Sequence, residues 1–336
     1  MTRSASAAAA LLLASAALAQ PVVDGFDWVT VGDPGNPAIG EAHPTYGWYA
    51  RGRGSVASAY RMACTDLTTA QYIDFYNTFS GRVDEATRVQ MEPLWWGASI
   101  NPHTGVASIA PGHSAQPAIG ISWRAAAMFC NWMHNGRSSA DWAILSGAYD
   151  VSTFGEDASG NITDQPTRSP GAKYWLPSWD EWLKAAHYDP NRNGPGEGGW
   201  WMYPDGGDEP LTPGWPGDGE TSYGLPWSQP DPAWGAPWQI PVGAYPDIQS
   251  PWGLLDLSGT AGEWTEEIWS GGHRVADGSS YAFDTYVDLD NLHMFSAWDP
   301  ADIFPPVSIR LASAVPAPGG AIVLMIAAVA AKRRRR

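Results

Sequence analysis

The chain has 336 residues, enough to bury a substantial core without help from metal or disulfides. Its 20 Trp, 37 Gly and 29 Pro, with only 16% charged residues, argue for a loop-rich domain pinned by aromatic anchors and against disorder, a helix bundle or a dinucleotide-binding sheet. A formal net charge of −16 sets its surface against nucleic acid and anionic membranes and suits cations, calcium among them.

Residues 1–20, "MTRSASAAAALLLASAALAQ", place an early Arg before an apolar stretch and an Ala-Leu-Ala just ahead of Gln20. This is the pattern of a secretory signal peptide; a plain Ala-rich leader is the alternative. The domain proper is expected over residues 24–313. Phe26, Trp28, Val29 and Val31 suggest a first strand that ends in a Gly/Pro turn. Met62 and Leu67 then fit a strand that leads into a helix. Thr68 followed by Gln71 forms a capping box, and Tyr72, Phe75, Tyr76 and Phe79 line one face.

After a Gly-containing loop, "ISWRAAAMFCNWMHNG" predicts a second helix with Ser122 as N-cap, Ala126, Phe129, Cys130 and Met133 on its apolar side, and Gly136 past its end. Residues 141–172 read as a hairpin-rich insertion, with "GAYDVS" a strand and "DASGNITD" a turn. "YWLPSWDEWLKAAHYDP" carries a third helix with a Ser178/Glu181 capping box, closed by Pro190. His187 on this helix reads as a structural residue.

Residues 191–238 lack periodicity but contain Trp200, Trp201, Trp215, Trp227, Trp234 and Trp238. These rings either pack a long loop onto the domain or form an exposed strip that stacks on sugars. Cys64 and Cys130 are the only cysteines. An exported chain permits a disulfide between them, while the apolar helical setting of Cys130 favours a free buried thiol. Two cysteines exclude a four-Cys zinc site, and the seven histidines show no H-x-x-x-H or H-E-x-x-H spacing. No G-x-S-x-G elbow occurs.

The last residues, "VPAPGGAIVLMIAAVAAKRRRR", combine a Pro-rich start, an apolar run from Ala321 to Ala331 and a basic end. The run is short of the about 20 residues of an ordinary membrane span. Residues 315–336 resemble a PEP-CTERM-type sorting tail. That resemblance implies recognition by sorting machinery at the inner membrane of a bacterium and removal of the tail. A stop-transfer anchor is the alternative. Either reading puts the folded part outside the cytoplasm, at the envelope or released from it.

Five pieces in order carry a second resemblance: "DLTTAQYIDFYN", "ISWRAAAMFCNWM", "WLPSWDEWLKAA", "PVGAYPDIQSPWGLLDLSGTAGEW" and "IRLA". Together they resemble the formylglycine-generating enzyme, or sulfatase-modifying factor, family across residues 26–312. The resemblance implies an α+β fold, a loop-rich variant of the C-type-lectin-like fold with few short helices and strands. Fold alone does not give function, because such scaffolds also serve as binding platforms.

In the oxidase branch of that family, two cysteines five residues apart follow an R-G-G-S-W/Y run and bind copper, because soft thiolates grip Cu(I). Counted without gaps from "GSSY" here, Phe283 and Asp288 stand in their places. The resemblance therefore implies a protein without that copper site, and no iron site is recognised. It reads as a non-catalytic binding or structural module whose partners are extracellular polysaccharide or envelope proteins. The alternative is a metal-dependent oxidoreductase using another site.

The family's G-N-V-W-E-W loop wraps a calcium. Carried over by position, Ser258, Gly259 and Ala261 would give carbonyls and Glu263 its carboxylate, a sensible oxygen set for calcium. Thr260 and Gly262 depart from that pattern. The alternative has Glu263 capping a turn or pairing with Arg274 or Arg310. The acidic "DTYVDLDN", with Asp284, Asp288, Asp290 and Asn291, reads as a solvated turn.

Overall fold

The structure is a computed structural model that describes residues 24–40, 47–226, 228, 230–282, 290–303 and 306–316. The leader, residues 317–336 of the tail, and Phe283, Asp284 and Asp288 lie outside the described residues. In chain order the elements are β1 (Trp28–Val31), β2 (Tyr60–Ala63), α1 (Thr69–Phe79), α2 (Glu85–Met91), β3 (Ala98–Ile100), β4 (Ala107–Ile109) and α3 (Trp123–His134). Then follow β5 (Tyr174–Trp175), α4 (Trp179–His187), β6 (Tyr188–Asp189), β7 (Gly199–Trp200), β8 (Gly262–Ile268), β9 (Arg274–Asp277), β10 (Ser296–Trp298), β11 (Val307–Ser308) and β12 (Ala312–Ala314). The architecture is α+β, with short helices and several small sheets joined by long connections.

Three helices start where their side chains dictate. Thr68 Oγ1 accepts the Gln71 N–H while Gln71 returns a bond to the Thr68 N–H, closing the capping box of α1. Ser122 caps α3 through the Ala125 N–H. Ser178 and Glu181 close a second box on α4. Between these, Asp84 caps the short α2, which the sequence reading left unassigned.

One four-stranded sheet has the order β1-β2-β12-β5, and the other β10-β9-β8-β11. In the second, β8 runs antiparallel to β9, with Glu263 opposite Asp277, and parallel to β11, with Glu263 opposite Ser308. The core lies where α1, α3 and α4 bury their apolar faces against these sheets. Phe75 and Phe129 meet edge to face at its centre with Tyr72 tilted against both, and Trp123, Trp179, Trp182 and Trp264 are all almost fully buried.

The insertion differs from its sequence reading. "GAYDVS" forms no strand; residues 151–153 make a single 3-10 turn. Buried Asn131 accounts for this, because its side chain accepts from Tyr149 N–H at 2.7 Å and donates to Tyr149 O at 2.9 Å. Asp150 then takes the Ser152 N–H. The backbone groups that a strand partner would need are already bonded.

Cys64 and Cys130 are unpaired. Burial raises both thiols above their ordinary pKa, which keeps them protonated and inert. No helix among the described residues is long and apolar enough to cross a membrane.

Candidate functional site

The place where the family's cysteines fall is reached from β9. Asp277, at its end, accepts bonds from the indole N–H of Trp179 and from its own neighbour Gly278. Burial pushes the Asp277 carboxyl up to about 8. Gly278 has φ +75, and a Cβ there would sit 2.9 Å from Leu257 O, so the turn takes glycine. The chain then runs through buried Ser279, Ser280 and Tyr281 to the edge of the described segment.

Beside it lies the turn carried over as a calcium loop. Gly259 and Thr260 are both left-handed, at φ +79 and φ +43. That geometry is costly for a β-branched residue. Hydroxyls hold it in place. Ser279 Oγ accepts the Gly259 N–H at 2.8 Å, and Ser222 Oγ accepts the Thr260 N–H at 2.7 Å. Ser258 Oγ bonds Thr221 and Asp290, each at 2.7 Å. The turn thus keeps left-handed geometry with threonine where the family pattern has asparagine. Asp290 and Asn291 are buried, not solvated as expected from sequence: the Ser258 hydroxyl supplies Asp290 with a partner that water would otherwise provide, and Asn291 Oδ1 accepts the His293 N–H.

Glu263 is committed elsewhere. Arg310 Nε lies 2.8 Å from both of its oxygens, and Trp182 Nε1 donates to Oε2 at 2.6 Å. Arg310 is fully buried and also donates to the carbonyls of Ala63, Cys64 and Leu255. Asp66 lies 3.6 Å away, and burial raises its carboxyl well above the usual range. Asp256 is pushed up to about 6 by burial, against the opposing pull of Arg310. Of the two arginines weighed for Glu263, Arg310 is its partner. Arg274 instead stacks on Trp123 and donates to the carbonyls of Gln165, Pro166 and Glu266.

The carbonyls of Ser258, Gly259 and Ala261 suit a hard cation, whereas both oxygens of Glu263 are already taken by a guanidinium and an indole. Among the described residues, no three His, Cys, Asp or Glu side chains converge as a metal-binding group. His187 is buried on α4, where burial and then the nearby His293 push it down to about 3, so it is neutral.

A groove opens next to this turn. Tyr281 packs against Trp95 and Trp238, with centroids 5.8 and 5.4 Å apart, and Ile119 and Ala261 complete the cluster. The two indoles are half-exposed and line an open groove of about 410 Å³ with Glu92, Leu94, Trp96 and Gln239. Its walls are held by the backbone. Trp95 and Ile119 exchange both N–H···O bonds, and Gly120 admits Leu94, whose Cβ would lie 2.5 Å from a Cβ at that glycine. Gln116 Nε2 pins Gln239 O at 3.0 Å.

In sequence, Trp95 falls in the Gly-containing loop ahead of α3 and Trp238 in the Trp-rich stretch. Only their common contact with Tyr281, far along the chain, identifies them as one site. The other described tryptophans of that stretch, Trp200, Trp201, Trp215 and Trp234, are half-buried, and Trp200, Trp215 and Trp234 pack on hydrophobic clusters, as anchors of a long loop do.

The sulfatase-modifying factor enzyme 1-like domain matches residues 29–313, and the chain belongs to this family. Among solved structures, CarF is similar over 88% of this chain and all of its own, with 19% identity and a TM-score of 0.51, a likeness of fold. Variable protein 1 of Treponema denticola matches at 17% identity over 86% of this chain and 95% of its own, TM-score 0.49. PvdO of Pseudomonas aeruginosa matches at 14% identity over 87% and 96%, TM-score 0.46. No curated protein matches the chain.

Proposed function

We propose that this chain is an exported, non-catalytic binding module of the sulfatase-modifying factor family, working at the cell envelope or outside it. The observation that carries the reading is the cysteine inventory. The chain has two cysteines in all, one on β2's exit and one inside α3, and neither lies at the end of β9. A Cu(I) site of two thiolates therefore has no ligands to be built from. The signal-peptide pattern of residues 1–20 and the sorting-type tail of residues 315–336 support export, with the tail removed or left as a transient membrane anchor. Extracellular polysaccharide and envelope proteins are the partners proposed.

Calcium in the 258–263 turn belongs to this reading as a structural ion. It would be held by the carbonyls of Ser258, Gly259 and Ala261 and by water, while Glu263 stays with Arg310.

Elemental analysis of the purified protein, paired with thermal melts with and without EDTA and with oxygen consumption on cysteine peptides, tests both statements. Stoichiometric calcium whose removal lowers the Tm supports the structural ion, and its absence removes it. Stoichiometric copper or iron, or oxygen uptake, overturns the non-catalytic reading. The mass of the mature protein recovered from its native host tests export, and an uncleaved N-terminus would count against it.

A further inference from the structure

We infer that the groove formed by Trp95, Trp238 and Gln239 over Tyr281 is a binding site for a neutral sugar chain. This rests on the binding-module reading and assigns it a site and a ligand class. The groove's volume of about 410 Å³ falls within the about 300–1,000 Å³ of small-ligand sites. Its size alone would say little. The distribution of unused hydrogen-bonding groups says more.

The Trp95 and Trp238 indoles are half-exposed, and an indole nitrogen can only donate. Gln239 uses its side-chain oxygen on the Ala236 N–H, at 2.8 Å, which leaves its amide NH2 for another partner. Glu92 takes Arg88 and Tyr76 on one oxygen, at 2.7 and 3.3 Å, and keeps the other open as an acceptor. Tyr281 is 4% exposed and packs against both indoles, which fixes where their rings stand.

Two half-exposed indoles, an amide NH2 and a carboxylate oxygen are the complement of a pyranose. Such a ring offers C–H surface to an indole, ring and hydroxyl oxygens to donors, and a hydroxyl proton to a carboxylate. An extended peptide fits less well. Trp95 already exchanges both backbone bonds with Ile119, which leaves it no backbone group to accept an added strand. A polyanionic glycan is disfavoured by Glu92 at the rim and by the chain's net charge of −16.

The test titrates the full-length protein, by tryptophan fluorescence and calorimetry, with a panel of neutral oligosaccharides (glucans, mannans, galactans and N-acetylhexosamine oligomers), beside uronate-containing chains and a random peptide library. The expected result is binding of at least one neutral member. Trp238→Ala should weaken it about tenfold or more, and Gln239→Ala about fivefold, the value of one hydrogen bond of about 1 kcal/mol. Gln239→Ala, a milder change, serves if Trp238→Ala loses its cooperative melt.

Several results would overturn the inference: no neutral sugar bound at millimolar concentration, binding unaffected by both groove variants, or binding confined to anionic chains or peptides. The sugar is then recovered and weighed. Intact sugar keeps both readings, whereas altered sugar keeps the site and sinks the non-catalytic function.

Discussion

Replacing Arg310 with Met probes the buried charge cluster at the joint between β8, β12 and the chain around Asp66. The guanidinium faces Glu263, Asp66 and Asp256 and satisfies the carbonyls of Ala63, Cys64 and Leu255. Methionine fills much of the same volume but donates nothing. Breaking a buried pair by removing one partner costs about 3–5 kcal/mol, because a carboxylate is left without its counter-charge. Each orphaned carbonyl adds a desolvation cost of about 1–3 kcal/mol, less whatever water recovers.

R310M is therefore expected to lose at least 3–5 kcal/mol at pH 7, roughly half or more of a typical domain's stability. Urea unfolding at pH 7 and pH 5 measures it. The deficit should narrow at the lower pH, as protonation removes the stranded negative charge. Arg310→Lys should recover only part of the loss, since a point charge cannot serve the Glu263 carboxylate and three carbonyls at once. A variant within about 1 kcal/mol of wild type, or a deficit that widens at low pH, would refute the reasoning.

Three further outcomes are expected. Thr260→Asn should stabilise the protein by about 1 kcal/mol, because asparagine tolerates the left-handed backbone that Thr260 is forced into; a lower denaturation midpoint for this variant would contradict that account of the turn. Asp277 holds its proton in the folded state up to about 8, far above its ordinary value of 3.8. The folded state therefore binds more protons than the unfolded one between about pH 4 and 8, and stability falls as pH rises through that window. Asp277→Asn should flatten the fall of Tm with pH, and an unchanged slope would show that Asp277 is not responsible. Finally, Ser178→Ala should cost about 1 kcal/mol as a lost N-cap. Glu181→Ala should cost more, because Glu181 also accepts from Trp175 and pairs with Arg168 at 2.7 Å. Equal losses in denaturant melts would mean that the cap is all that Glu181 contributes.

What the sequence by itself determined is local or compositional. Thr68 with Gln71, and Ser178 with Glu181, mark helix starts because cap and partner lie three residues apart, and no distant residue is needed to complete the bond. The order of the five motif segments likewise gave the family, and the count of two cysteines ruled out a thiolate pair after β9, since no folding can supply a missing ligand.

Tertiary structure decided what depended on distant partners. "GAYDVS" has a strand's composition, yet Asn131 on α3 takes its backbone bonds. Glu263 had two arginines within reason, and only the parallel pairing of β11 with β8 brings Arg310 to it. Trp95, Trp238 and Tyr281 carry no motif that links them. They form one cluster because the Trp95–Ile119 bridge and the Gln116–Gln239 bond bring the two indoles together against Tyr281, and bonds between loops so far apart in sequence leave no periodicity to read.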